Sequence, residues 1–150
     1  MTKLLLFVCT GNTCRSPMAE GFARRWMEIN QINGWEVASA GTFAGEGYKT
    51  SKETIEALYE HGVVFEGTST PLTKELADRA SVVLCMTSSH CMDVASITED
   101  PTKIEMFNMY GGIIDPVGCD QSVYDELAEK MLEIIPKRLL EITNRTEKKE

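Results

Sequence analysis

The segment Cys9-Thr10-Gly11-Asn12-Thr13-Cys14-Arg15-Ser16 places a thiol, a glycine and a guanidinium in one short stretch. Gly11 permits a tight turn with amide hydrogens pointing inward. A helix opening after the loop adds its N-terminal amides and the positive end of its dipole. Together these groups form a nest for an anion, and Arg15 supplies a planar fork that matches two oxygens of a tetrahedral oxyanion. Cys9 is expected at the floor of this nest, where the same amides, dipole and guanidinium stabilise a thiolate. A thiolate beneath a bound phosphoryl group is placed for in-line attack at phosphorus. Such a transfer needs a proton for the leaving group. Asp115 is the best candidate donor, because Pro116 stiffens its loop and flanking glycines let that loop reach inward. Each piece alone is unspecific. Cys-x5-Arg also describes a buried strand-end cysteine followed by a solvated arginine, and Asp-Pro most often marks only a turn.

The elements around the loop sharpen the reading. Residues 3–9 form a continuous apolar run, as expected of a strand buried on both faces. Ser16-Pro17 then suits a helix N-cap and first turn, with Ala19, Phe22, Ala23, Trp26 and Met27 at helical spacing. Residues 35–40 read as a second strand. Residues 51–61 read as a helix offering Ile55, Ala57, Leu58 and Tyr59 to the core. A short helix capped by Thr73 precedes a buried strand over 80–86, and a short helix over 90–97 precedes a last strand over 104–107. Residues 123–143 form a long amphipathic helix with Pro136 inside it, where a kink is expected. Alternating buried strands and helices imply an α/β fold: a parallel sheet with helices on both faces. Ligands bind such sheets at the carboxyl ends of strands, which is where the Cys9 loop lies.

Composition removes several function classes. The chain has 150 residues, one domain's worth over 1–150, with residues 144–150 reading as a frayed charged tail. A net charge of −8 repels phosphate backbones and argues against a nucleic-acid partner. No apolar run is long enough to span a membrane, and the one at the N-terminus is too short for a signal-peptide core. A cytoplasmic protein with reduced thiols is expected. The five cysteines, Cys9, Cys14, Cys85, Cys91 and Cys119, are odd in number and contain no Cys-x-x-Cys pair, so neither a disulfide framework nor a structural zinc site is expected.

The loop, with Asp115-Pro116 and Ser39-Ala40-Gly41-Thr42, closely resembles the low-molecular-weight protein tyrosine phosphatase family. The resemblance spans nearly the whole chain. It implies a three-layer fold with a four-stranded parallel sheet in the order 2-1-3-4. It also implies a Cys9-phosphate intermediate, Asp115 as acid and then base, and Arg15 as transition-state clamp. Thr10, Gly11, Asn12, Thr13, Cys14 and Ser16 would bind the phosphoryl group, with Ser16 orienting the thiolate and Ser39 steadying Asn12. It implies no metal and no cofactor. Phosphorylated proteins are the expected partners, and a monomer the expected state.

Two departures bear on substrate. Tyrosine-specific members usually carry a branched aliphatic residue where this chain has Thr13, and an aromatic after the acid-loop Asp-Pro where it has Val117. Without an aromatic wall a phenol ring gains less stacking, and Thr13 with Asp115 suits a guanidinium better. The sequence here resembles the protein arginine phosphatase branch, and phosphoarginine is the expected substrate. A third departure is Gly67-Thr68-Ser69, near where many members have a histidine supporting the loop; Ser69 is the candidate replacement.

Other readings stay open. Tyrosine phosphatases share the loop. Thioredoxin-coupled arsenate reductases share the fold too, and would use Cys9, Cys85 and Cys91; otherwise Cys85 is a core cysteine. A non-enzymatic phosphate-binding domain would lack the acid. Cys14 either packs under the loop or pairs with Cys9 as a redox guard. His61 and His90 are expected at the surface, and Cys119 has no assigned role.

Overall fold

The computed structural model describes the backbone of residues 2–148 and the side chains of residues 2–145. Four parallel strands form one sheet in the order β2-β1-β3-β4, as the resemblance implies. They are β1 (Lys3–Cys9), β2 (Trp35–Gly41), β3 (Val82–Cys85) and β4 (Ile104–Met106). The helices are α1 (Arg15–Ile29), α2 (Lys52–Glu60), α3 (Lys74–Arg79), α4 (Ser88–Ala95) and α5 (Gln121–Lys148).

The central strand β1 alternates its side chains between two cores, as the period of two requires. Leu5, Phe7 and Cys9 pack with buried residues of α1, α2 and α5. Leu4, Leu6 and Val8 pack on the other face with Ala77 of α3 and Val94 of α4. The helices therefore cover both faces in three layers. Phe7 meets Phe107 edge to face at 5.4 Å, which ties β1 to the start of the acid loop.

Several local expectations change. Arg15, not Pro17, opens α1; the N-cap is Cys14, without a side-chain cap, and Ser16 lies one residue inside the helix. Tyr59 sits on an exposed face rather than in the core. Pro136 lies within α5 without ending it. It is on the exposed side of the helix, where water can serve the carbonyl its missing N–H leaves free. The helix also continues through residues 144–148. Arg145 pairs with Glu105 and Glu141 there, so residues 144–148 are helical rather than a frayed end. Residues 149–150 of the expected tail lie outside the described residues.

Candidate active site at the carboxyl end of β1

β1 ends at Cys9 and α1 begins at Arg15, so the loop between them closes over the sheet's carboxyl edge. Cys9 is buried, and its Sγ lies 2.9 Å from Ser16 Oγ. The left-handed residue of the loop is Asn12, at φ 57°, and not Gly11. Asparagine is one of the few residues that tolerates this conformation. A Cβ on Gly11 would make only ordinary contact with Thr13. The sterically demanding glycine is Gly41, where a Cβ would come within 2.4 Å of Thr10 O and 2.7 Å of Ala44 Cβ. The end of β2 thus presses directly on the loop, and Thr42 N–H and Phe43 N–H donate to the carbonyls of Cys9 and Thr10.

The Asn12 side chain organises the floor. Its Oδ1 accepts from Thr70 N–H at 2.8 Å, which fixes the amide's orientation. Its Nδ2 then donates to Ser16 Oγ at 2.8 Å and to Ser39 Oγ at 2.9 Å. Ser39 donates its own proton to Glu20 Oε1 at 2.5 Å. Glu20 is buried, and that desolvation raises its carboxyl above the ordinary value, against the opposing Ser39 bond and Arg24 charge. Ser39 is thus in hydrogen-bond contact with Asn12; Glu20, four residues past Ser16, has no sequence signal beyond its place on α1. Ser69 does not support the loop: its hydroxyl donates to Gly45 O at 2.6 Å and accepts from Tyr48 N–H at 2.9 Å. The neighbouring Thr70 backbone supplies that support, because a main-chain donor needs no particular side chain.

Arg15 is buried, with Nη1 donating to Ile113 O at 3.0 Å and Nη2 to Thr10 Oγ1 at 3.4 Å. Asp115 Oδ2 lies 3.7 Å from the same Nη2. The Asp115 loop therefore reaches the Cys9 loop, anchored by Ile113 N–H on Met86 O at 2.7 Å. Asp115 Oδ1 accepts from Val117 N–H at 3.1 Å, a turn that aims the carboxylate. Val117 itself is exposed.

Cys14 is a buried free thiol, with Sγ 3.3 Å from Tyr124 Oη and 3.5 Å from Ser51 Oγ. Burial, and then the Cys14 contact, push the Tyr124 hydroxyl above its ordinary value. Thr13 O accepts from Ser51 N–H at 2.9 Å, so the start of α2 braces this side of the loop.

His90 corrects the expectation of a surface residue. It is 3% exposed, and its Nε2 lies 2.8 Å from Thr10 Oγ1. It sits in the first turn of α4, where its Nδ1 caps the chain at Thr87. His61 is exposed as expected.

Cys85 is fully buried in the core on the sheet face opposite Cys9. Burial raises its thiol well above the ordinary value, and Cys91 adds to the rise. Cys91 Sγ contacts Met106 Sδ at 3.7 Å. The structure does not gather Cys85 and Cys91 with Cys9. Cys119 is exposed. Among the described residues no group of three or more His, Cys, Asp and Glu side chains could hold a metal ion, and no helix is long and apolar enough to cross a membrane.

Comparison with known proteins agrees with this geometry. The profile of the low molecular weight phosphotyrosine protein phosphatase family matches residues 4–149. A protein-arginine-phosphatase of Geobacillus stearothermophilus is 41% identical over 147 residues, covering 94% of this chain and 96% of that protein. The low molecular weight protein-tyrosine-phosphatase PtpB of Staphylococcus haemolyticus is 34% identical over 137 residues, covering 89% and 95%. Among solved structures, a YwlE arginine phosphatase superposes with a TM-score of 0.85 at 32% identity, covering 97% of this chain and 96% of that one. That structure is a Cys-to-Ser variant with a phosphorylated active-site serine. The chain belongs to the low molecular weight phosphotyrosine protein phosphatase family.

Proposed function

We propose that this protein is a metal-independent protein phosphatase that hydrolyses phosphoarginine through a phosphate ester on Cys9. The observation that carries the chemistry is the convergence of Cys9, Ser16, Arg15 and Asp115 at one loop. The Cys9 thiolate attacks phosphorus from below. The S–P bond forms as the P–N bond breaks, and Asp115 gives its proton to the departing guanidine nitrogen. Arg15 and the loop amides hold the equatorial oxygens. Water then attacks phosphorus, Asp115 takes its proton, and the S–P bond breaks to release phosphate and regenerate the thiolate. The phosphorylated serine in the YwlE variant is in keeping with phosphoryl transfer to the residue at this position.

Three features favour arginine over tyrosine as the substrate side chain. Thr13 offers a hydroxyl rather than an aliphatic wall at the loop's rim, and Val117 gives no ring to stack on a phenol. A relative at 41% identity is named a protein-arginine-phosphatase. The burial of Cys85 away from Cys9 disfavours an arsenate-reductase relay. We place the protein in the cytoplasm, acting on phosphorylated proteins, because all five cysteines are free and a catalytic thiol requires reducing surroundings. Cys14 is read as a redox partner. Peroxide oxidises the Cys9 thiolate to a sulfenic acid, which condenses with the Cys14 thiol and releases water, and a small thiol reverses the disulfide. A Cys14→Ser variant that recovers from peroxide as fully as the parent would remove this role.

The deciding experiment is parallel kinetics on phosphoarginine, phosphotyrosine and arsenate with thioredoxin. The phosphoarginine kcat/KM is expected to be highest, and Cys9→Ser is expected to lose turnover while still binding phosphate. A higher phosphotyrosine value overturns the substrate assignment, and turnover by Cys9→Ser overturns the nucleophile.

A further inference from the structure

The Thr10 hydroxyl is held by two donors. Thr87 N–H points at His90 Nδ1 at 3.1 Å, so Nδ1 is the acceptor nitrogen and the ring proton sits on Nε2. Nε2 therefore donates to Thr10 Oγ1 at 2.8 Å. Arg15 Nη2 donates to the same oxygen at 3.4 Å. With both lone pairs engaged, the only hydrogen-bonding capacity left on Thr10 is its own proton. His90 is buried behind Thr10, whereas Thr10 is exposed. The remaining proton is thus available to a ligand on the open side of the loop, beside the Arg15 nitrogen that Asp115 also approaches.

We propose that His90 is a positioning residue of this site: by donating to Thr10 it makes the Thr10 hydroxyl an obligate donor to the bound phosphoryl group and holds its oxygen against Arg15. The inference rests on the loop being a phosphoryl site. It links the first turn of α4 to the phosphate loop, across the carboxyl ends of β1 and β3. The charges facing the ring are Arg15, Asp93 and Asp115. Burial first, and then Arg15, hold the imidazole below its ordinary value, against the opposing pull of Asp93 and Asp115. The ring is accordingly neutral at pH 7 and carries the single Nε2 proton that the arrangement needs.

Two substitutions separate this role from capping of α4. His90→Asn keeps an acceptor at the Nδ1 position for Thr87 N–H but is too short to reach Thr10. His90→Gln puts a donor near the Nε2 position. We would measure kcat and KM on para-nitrophenyl phosphate for these variants, for Thr10→Val and for the Thr10→Val/His90→Asn double variant. The dissociation constant of inorganic phosphate, in a Cys9→Ser background, gives a readout independent of turnover. His90→Asn is expected to lower kcat/KM and weaken phosphate binding by roughly tenfold each, the scale of one hydrogen bond, at an unchanged melting temperature. His90→Gln should recover most of both losses, and the double variant should be no worse than Thr10→Val. Native phosphate affinity in His90→Asn or in Thr10→Val overturns the proposal, as does a double variant whose losses multiply. If His90→Asn melts early, the other two single variants decide: weakened phosphate binding by Thr10→Val with near-native binding by His90→Gln supports the proposal, and any other pattern overturns it. A parent enzyme that turns over no phosphate compound defeats the enzymatic reading instead, while the phosphate affinities still test His90.

Discussion

Ser16 Oγ lies 2.9 Å from Cys9 Sγ, and Ser16 is the donor once Cys9 is a thiolate, which has no proton to give. Asn12 Nδ2 already donates to the Ser16 oxygen, which leaves the serine proton available to the sulfur. A chain of fixed polarity therefore runs from Asn12 through Ser16 to the thiolate, with Ser39 and Glu20 anchoring Asn12 behind it. Ser16→Ala removes one donor to a charged sulfur. Hydrogen bonds to charged groups contribute about 1.5–3 kcal/mol, so phosphoenzyme formation should slow roughly 10- to 100-fold. Single-turnover kinetics reads this step directly, and an unchanged rate would contradict the assigned polarity.

Asp115 faces Arg15 across 3.7 Å and is half exposed. That position suits a group that meets both a leaving group and incoming water. Asp115→Asn should slow substrates with basic leaving groups roughly 10²- to 10⁴-fold, the usual contribution of a positioned acid, and activated aryl phosphates much less. A rate loss independent of leaving group across an aryl phosphate series would remove the acid role.

Thr13 lies on the loop between Asn12 and Cys14, partly exposed and braced through its carbonyl by Ser51. Thr13→Ile keeps the branch at Cβ but replaces the hydroxyl with apolar surface. The ratio of kcat/KM for phosphoarginine over phosphotyrosine should fall, because the guanidinium loses a polar neighbour and the phenol gains an apolar one. A ratio equal to that of the parent would refute this basis for selectivity.

Gly41 carries a steric requirement rather than a chemical one. A methyl group there would stand 2.4 Å from the Thr10 carbonyl, which is main chain and cannot rotate away. Gly41→Ala should destabilise the fold by about 1–3 kcal/mol, as overpacking does, and should weaken phosphate binding because the loop itself must move. Urea unfolding and phosphate titration would check both, and a neutral outcome in each would show that β2 does not brace the loop.

His90 gives the stability a defined pH dependence. The folded state holds the ring below its ordinary value, chiefly by burial and then by Arg15, with Asp93 and Asp115 opposing. The unfolded chain takes up the proton near pH 6.5. Acid therefore favours the unfolded state, and the stability this group contributes is full above about 6.5 and declines as the pH falls toward the folded value. The slope from this one proton is at most about 1.4 kcal/mol per pH unit. His90→Asn should flatten the urea-unfolding profile between about pH 7 and pH 5; an identical slope in the variant would assign the acid sensitivity elsewhere.

Much of the fold is legible along the chain because its signals are local. A both-face-buried strand must be apolar throughout, as residues 3–9 are, and helices must repeat near 3.6, as Phe22, Ala23, Trp26 and Met27 do. The same holds for the nucleophile: Cys9, the loop and Arg15 are within seven residues of one another, so type and spacing suffice to assemble them. Asp115 needs one further step, that a stiff glycine-flanked loop returns to the same end of the sheet.

Apart from the Ser39 contact, tertiary structure alone decided the support of the Cys9 loop. His90 is 80 residues from Thr10 and reads as a surface histidine, because nothing local tells a buried polar ring from an exposed one. Asn12 meets Thr70 through a backbone donor, which leaves no trace in side-chain type, and this is why Ser69 is a misleading candidate. Gly41 reads as the end of a strand, while its real constraint is the Thr10 carbonyl, reached only once β1 and β2 lie in register. The sequence thus determined which atoms can react. The packing of β2, α4 and the Asp115 loop around them decided what holds each of them in place.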